Sequence, residues 1–153
     1  MNYKVINFHN IFNVKIVWGR KGELMELSIT DEKCTNNDIY PLNVVKVINI
    51  LDKYYSNCLM YNIEDFLPME EFSIFYRRVY MILSKIPRGD TVTYSKLAEM
   101  AGFPGAHRAV GTAMAKNRYL LLIPCHRVVG VNGIGGFSYG IDIKKRLLEL
   151  EKK

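Results

Sequence analysis

The heptapeptide Ile123-Pro124-Cys125-His126-Arg127-Val128-Val129 is the stretch from which the rest of the chain is read. In it a thiol, an imidazole and a guanidinium stand side by side between apolar flanks. A cysteine next to a histidine admits three readings: metal ligation, nucleophilic catalysis, or a buried structural thiol. Metal fits poorly, because a zinc site asks for about four ligands at finger-like spacings. The chain offers only Cys34, Cys58 and Cys125 with His9, His107 and His126, none spaced C-x-x-C or H-x-x-x-H. Immediately upstream, Leu120-Leu121-Leu122-Ile123 leads in as an apolar strand, and Pro124 removes a backbone donor just ahead of the thiol. Downstream, Gly130, Gly133, Gly135 and Gly136 make a permissive loop. The thiol is thus expected at the end of a buried run, beside mobile backbone.

Further upstream, Thr93 caps a helix predicted over Ser95 to Met100, Gly102-Phe103-Pro104-Gly105 makes a turn, and Ala106 to Lys116 forms a second helix. This is the form of a helix-turn-helix. Ala106, Ala109, Gly111, Thr112 and Ala113 are small, so the second helix brings its backbone close to whatever it meets. A glycine inside a helix costs about 1 kcal/mol relative to alanine. Tight helix packing and close approach to a groove are both reasons to keep it. At the other end, Asp142 to Lys153 reads as a last helix with Ile143, Leu147, Leu148 and Leu150 inward and the run Lys144-Lys145-Arg146 as a solvated face.

The N-terminal part is of another kind. Tyr3 to Phe8, Val14 to Trp18 and Glu23 to Ile29 alternate as strands, with Gly19-Arg20-Lys21-Gly22 as a hairpin loop. Pro41 opens a helix with Val44, Val45, Val47, Ile48 and Leu51 as its apolar stripe. A boundary falls near Asn62 to Pro68, after which the acidic Glu70 and Glu71 start a helix burying Phe72, Phe75, Val79, Ile82 and Leu83. Pro87-Arg88-Gly89-Asp90 ends it as a turn. The fold class expected is α+β in two small domains, residues 1–67 and 68–153.

Composition narrows the function classes. With 153 residues and 49% hydrophobic content the chain buries a proper core, and no apolar run approaches a membrane span. The N-terminus lacks the apolar core of a signal peptide, so the expected location is the cytoplasm, or the nucleus of a eukaryote. Three cysteines, an odd number, argue against a disulfide framework. The net charge of +6 is lopsided: residues 1–86 hold ten Lys/Arg against ten Asp/Glu, whereas 87–153 hold eleven against five. The C-terminal half is the one to offer to a polyanion.

The motifs Thr93-Tyr94-Ser95-Lys96-Leu97-Ala98, Arg108-Ala109-Val110-Gly111, Ile123 to Val129 and Gly136-Phe137-Ser138-Tyr139-Gly140 occur in this order along the chain. Together they resemble the O6-alkylguanine-DNA alkyltransferase family from about Met69 to the C-terminus. The resemblance implies a ribonuclease H-like first domain and a winged helix-turn-helix-like second one. It implies that a monomer flips O6-alkylguanine out of duplex DNA from the minor groove and takes the alkyl group onto Cys125, once per molecule. It further implies a water-bridged relay from Cys125 to His126 and an orienting acid, matched by Glu151, with Glu149 the less favoured choice. Arg108 matches the finger that fills the vacated stack, on a helix whose Ala106, Ala109, Gly111 and Thr112 meet the DNA. Tyr94 matches the tyrosine that turns the phosphate and bonds the flipped base. Asn117, Val128, Phe137, Ser138 and Tyr139 match the pocket, and Arg127 ties the segment structurally. No metal and no cofactor are expected, since Cys34, Cys58 and His9 do not reproduce the zinc set of some relatives.

Two departures bear on the pocket: Arg118-Tyr119-Leu120 stands where many relatives have prolines, and Tyr139 where many have a small residue. A bulkier entrance is expected. The alternatives are a non-catalytic damage sensor on the same scaffold, whose members lack the cysteine, and a plain helix-turn-helix regulator. Ala106, Ala109 and Ala113 are poor readers of a major groove. An acyl-transferring cysteine hydrolase has no supporting signature.

Overall fold

The structure, a computed structural model, describes residues 2–36, 39–56 and 60–152. It is α+β and divides into two compact units: residues 1–67 with 118–121, and residues 68–117 with 122–153.

The first unit is built on three antiparallel strands in sequential order, β1 (Asn2–Phe8), β2 (Phe12–Trp18) and β3 (Leu24–Thr30). Alternation drives them: Phe8, Val14, Ile16 and Leu27 are buried on one face, while Val5, across from Lys15, is buried on the other. The loop expected at Gly19 to Gly22 joins β2 to β3, with Gly19 N–H donating to the Glu23 carbonyl at 2.9 Å. The helix α1 (Leu42–Asp52) follows Pro41, but the stripe it buries is Val44, Val47, Ile50 and Leu51. Val45 is exposed, because it falls one residue after Val44 and so points off the face that Val44 and Val47 share. The end of α1 is tied to the sheet where His9 Nε2 donates to the Leu51 carbonyl at 2.8 Å and the rings of Phe8 and Tyr54 meet edge to face.

The sheet acquires a further partner from far along the chain. Leu27 N–H donates to the Arg118 carbonyl at 2.8 Å, and Leu120 N–H to the Leu27 carbonyl at 3.2 Å, in a parallel bridge. The apolar run 120–123 is therefore not the strand expected of it. Leu121, fully buried, turns to φ 71° and breaks the extension, a left-handed conformation that costs a leucine on the order of 1 kcal/mol. The Tyr61 hydroxyl donates to its carbonyl at 3.2 Å.

In the second unit Glu70 and Glu71 lie in a short 3-10 turn, and the α-helix starts later, at α2 (Ile74–Leu83). Ser73 sets that start, its Oγ accepting from Tyr76 N–H at 3.2 Å. The helix buries Val79, Tyr80 and Leu83, while Phe72, Phe75 and Ile82 are half-buried. Tyr80, absent from the expected face, donates its buried hydroxyl to the Ala113 carbonyl at 2.7 Å. Strand β4 (Val92–Thr93) leads into α3 (Tyr94–Met100), and α4 (His107–Ala115) follows a turn. Thr93 caps α3 as expected, accepting from Lys96 N–H at 3.1 Å. Cys125–Arg127 form one 3-10 turn, β5 (Val128–Val129) follows, and α5 (Ile141–Glu151) ends the fold. No helix among the described residues is long and apolar enough to cross a membrane.

Candidate functional site

Two-residue strands position the chemistry. β4 and β5 pair in parallel, Val92 with Val128 and Thr93 with Val129. The residue after β4 is Tyr94 and the turn before β5 is Cys125–Arg127, so this small ladder sets the start of α3 beside the thiol. The Cys-His pair lies on a tight turn, with Cys125 N–H bonded to the Ile123 carbonyl at 2.7 Å.

The turn sends its side chains into a buried ionic cluster. His126 Nε2 and Glu151 Oε1 are 2.7 Å apart, and Arg127 grips the same carboxylate through Nη2 at 2.8 Å and Nε at 3.0 Å. Arg127 Nη1 donates to the Ile86 carbonyl at 2.7 Å, which anchors the segment that follows α2. Glu151 is buried and Glu149 is exposed and paired with Lys152, so the carboxylate at the histidine is that of Glu151. Burial alone would raise its pKa, but the hydrogen bonds from His126 and Arg127 outweigh that and hold the carboxyl at about 2.

An ionised carboxylate on Nε2 fixes the tautomer: Nε2 carries the proton and Nδ1 keeps a lone pair. Nδ1 is buried and has no hydrogen-bond partner among the described residues. Burial lowers the imidazole pKa against the pull of Glu151, so the ring is a neutral acceptor at pH 7. The Cys125 thiol is pushed up by burial, with Asn117 and Lys144 acting in the opposite direction. The pair at rest is thus a thiol beside a neutral base.

Cys125 opens into a cavity of about 420 Å³, within the size range of small-molecule sites. Its walls are Tyr94 of α3, Gly111, Met114 and Ala115 of α4, and Gly136, Phe137 and Ser138 of the loop before α5. Met114 and Ala115 were not singled out from the sequence; they lie on the cavity because they share a helical face with Gly111. Of the other residues expected at the pocket, Val128 is buried with its carbonyl turned to Lys144, and Asn117 bonds the Ile123 carbonyl at 2.9 Å and the thiol. Tyr139 meets Phe137 edge to face at 5.8 Å.

Tyr94 is half-buried and burial raises its hydroxyl pKa, so it stays protonated. The Gly136 backbone acts in the opposite direction without overcoming the burial. Gly135 makes room for this ring: with φ 74°, a Cβ there would lie 2.9 Å from the tyrosine oxygen. On α4, Arg108, Ala109 and Thr112 are exposed and Ala106 and Gly111 half-exposed, whereas Ala113 is buried. A Cβ on Gly111 would meet nothing within 4 Å, so helix packing does not explain that glycine.

One expectation is overturned outright. Lys145 and Arg146 are exposed, but Lys144 is fully buried, its Nζ donating to the carbonyls of Val128 at 2.6 Å and Gly136 at 2.9 Å. Lys144, Leu147 and Glu151 share one face of α5 at i, i+3 and i+7, so the inward stripe carries two charges, and Leu150 faces solvent instead. That spacing on either side of Leu147 was the signal available in the sequence. Cys34 is exposed and free, and Cys58 lies outside the described residues.

Comparison with known proteins converges on one family. Residues 74–153 match the family model described as the 6-O-methylguanine DNA methyltransferase, DNA binding domain. A Methylated-DNA--protein-cysteine methyltransferase of Methanothermobacter thermautotrophicus is 34% identical over 148 residues, covering 94% of this chain and 81% of the relative. One of Metallosphaera sedula is 53% identical over 77 residues, which span 50% of this chain and 48% of that one. Among solved structures, Mycobacterium tuberculosis OGT in complex with DNA has a TM-score of 0.74 at 30% identity, covering 99% and 93% of the two chains. The O6-methylguanine-DNA methyltransferase of Pyrococcus kodakaraensis follows at 0.68 and 27%, covering 97% of each. A relative matched over nearly the whole chain and a family model over its second half agree, and the chain belongs to the methylated-DNA--protein-cysteine methyltransferase family.

Proposed function

We propose that this protein repairs DNA by direct damage reversal, moving the alkyl group of O6-alkylguanine irreversibly onto Cys125. The observation that carries the reading is the unpartnered Nδ1 of His126, a buried lone pair next to a cysteine that opens into a base-sized cavity. In the reaction, Nδ1 takes the thiol proton through a bridging water while Glu151 holds the imidazole. The sulfur lone pair then forms the S–C bond, the C–O6 bond breaks with its electron pair going to guanine, and guanine gains one proton. Thiol and alkylguanine become thioether and guanine. Tyr94, with its hydroxyl kept protonated by burial, is the donor on the pocket wall.

A base inside a duplex cannot reach a buried thiol, so the nucleotide is flipped at a cost of a few kcal/mol. The exposed face of α4, with Arg108, Ala109 and Thr112, enters the minor groove, and Arg108 fills the vacated stack. Gly111, a helix glycine that no packing contact requires, supports close approach of the base. In this reading residues 68–153 are a winged helix-turn-helix-like repair domain, residues 1–67 a ribonuclease H-like support, and the protein acts as a monomer in the cytoplasm or nucleus, wherever its DNA lies.

The test is mass spectrometry of the full chain after incubation with a duplex carrying O6-methylguanine. One methyl group per molecule on Cys125, and none on Cys125→Ala, is the expected result. Repeated transfer by one molecule, or a Cys125→Ala variant methylated at the wild-type rate, would overturn the reading.

A further inference from the structure

Lys144 is the only buried lysine among the described residues. Its Nζ bonds two carbonyls and lies 6.0 Å from the centre of the Tyr94 ring, yet no carboxylate among the described residues pairs with it. Arg127, by contrast, is neutralised by Glu151. An ammonium stripped of water and offered only carbonyls is costly to keep. Burial brings its pKa down to about 8, against an upward pull from Cys125, and it remains charged at neutral pH. Gly136, whose carbonyl holds the ammonium, and Tyr94, whose ring lies beside it, line the same cavity as Cys125, so the titratable groups around it are Tyr94 from α3 and Cys125 and His126 from the turn. The tyrosine stays protonated and the imidazole is neutral at pH 7, so the thiol, once its proton has left, is the one group there that supplies a negative charge.

We propose that Lys144 is the buried counter-ion of the Cys125 thiolate, its ammonium held between the Val128 and Gly136 carbonyls so that the attacking anion forms next to a fixed positive charge. The proposal deepens the reading of Cys125 as the alkyl acceptor and rests on it. Lys144 touches no substrate and exchanges no proton; it is a positioning residue that acts through the sulfur. Transfer converts the anion into a neutral thioether, so after repair the sulfur can no longer supply the ammonium with a counter-charge.

Three variants of the full chain test this: wild type, Lys144→Met and Lys144→Arg. Each is treated with iodoacetamide across pH, and labelling is read at the Cys125 peptide, since Cys34 is exposed and also reacts. Loss of one adjacent unit charge is expected to slow Lys144→Met about tenfold at pH 7. The high-pH plateau should stay within about twofold of wild type and Lys144→Arg within about threefold. A folded Lys144→Met whose profile superimposes on wild type overturns the proposal. Should that variant not fold, wild type alone decides: NMR of the Lys144 side chain before and after methylation should show its pKa falling, and an unchanged or rising value overturns the proposal. Mapping the methyl group separates the two claims. A methyl found elsewhere than Cys125 defeats the reading of the acceptor, while the iodoacetamide profiles still judge Lys144.

Discussion

Glu151→Gln keeps the size of a side chain and removes the charge on which three buried hydrogen bonds converge, from His126 Nε2, Arg127 Nη2 and Arg127 Nε. The carboxyl is held at about 2 against an ordinary 4.5. At about 1.4 kcal/mol per tenfold, that is about 3 kcal/mol favouring the ionised, folded state. The cost of removing one partner from a buried ion pair, about 3 to 5 kcal/mol, gives the same size from an independent direction. Because the folded value lies below the unfolded one, this stability is complete above about pH 4.5 and is lost as the pH falls towards 2. In urea unfolding the variant should be about 3 kcal/mol less stable than wild type at pH 7, with the gap narrowing below pH 4.5. A gap that stays constant from pH 7 to pH 3 would refute the electrostatic reasoning and assign the loss to packing.

Two further outcomes follow from the same geometry. His126→Ala removes the lone pair proposed to receive the thiol proton, and general-base loss should slow methyl transfer about 100-fold or more at pH 7, with partial recovery as rising pH ionises the thiol directly; a rate within about threefold of wild type at pH 7 would sink the relay. Arg108→Ala should slow repair in duplex DNA strongly but reaction with free O6-methylguanine little, because the free base needs no flipping; equal losses on both would make Arg108 a residue of the pocket or the fold. If Arg108 only contacted a phosphate, its removal would weaken binding to every DNA and lower the salt slope by about one.

The parts legible in the sequence are those governed by local rules. Alternation in β1 to β3, the Gly19 to Gly22 loop and the Thr93 cap depend on neighbours a few residues away, and the structure has them. Ser73 had the same kind of signal, a capping hydroxyl, but the acidic pair Glu70-Glu71 drew the helix start forward into what is a 3-10 turn. What stayed hidden depends on partners far off in sequence. The sequence says nothing of the Ala113 carbonyl that lets a tyrosine be buried at position 80, nor of the Val128 and Gly136 carbonyls that let a lysine be buried at 144. The gathering of Cys125, His126 and Glu151 was likewise accessible only through resemblance, since 25 residues separate the histidine from its carboxylate.

The bridge between Leu27 and residues 118–120 sets an order of events during synthesis. The three strands and α1 are all made by residue 52, but the segment that covers the outer edge of β3 emerges only after the 65 residues 53–117 have been added. At about 5 to 20 residues per second that is a wait of roughly 3 to 13 s, during which an edge strand stands open to any other strand. Stalled nascent chains ending before residue 118 should therefore leave Leu24–Thr30 open to proteolysis, and chains ending well beyond residue 121 should protect it; equal protection in both would show that the edge needs no cover. On the proposed single-turnover reaction each lesion consumes one molecule, and the copy that replaces it leaves the ribosome with its first sheet waiting on its last third.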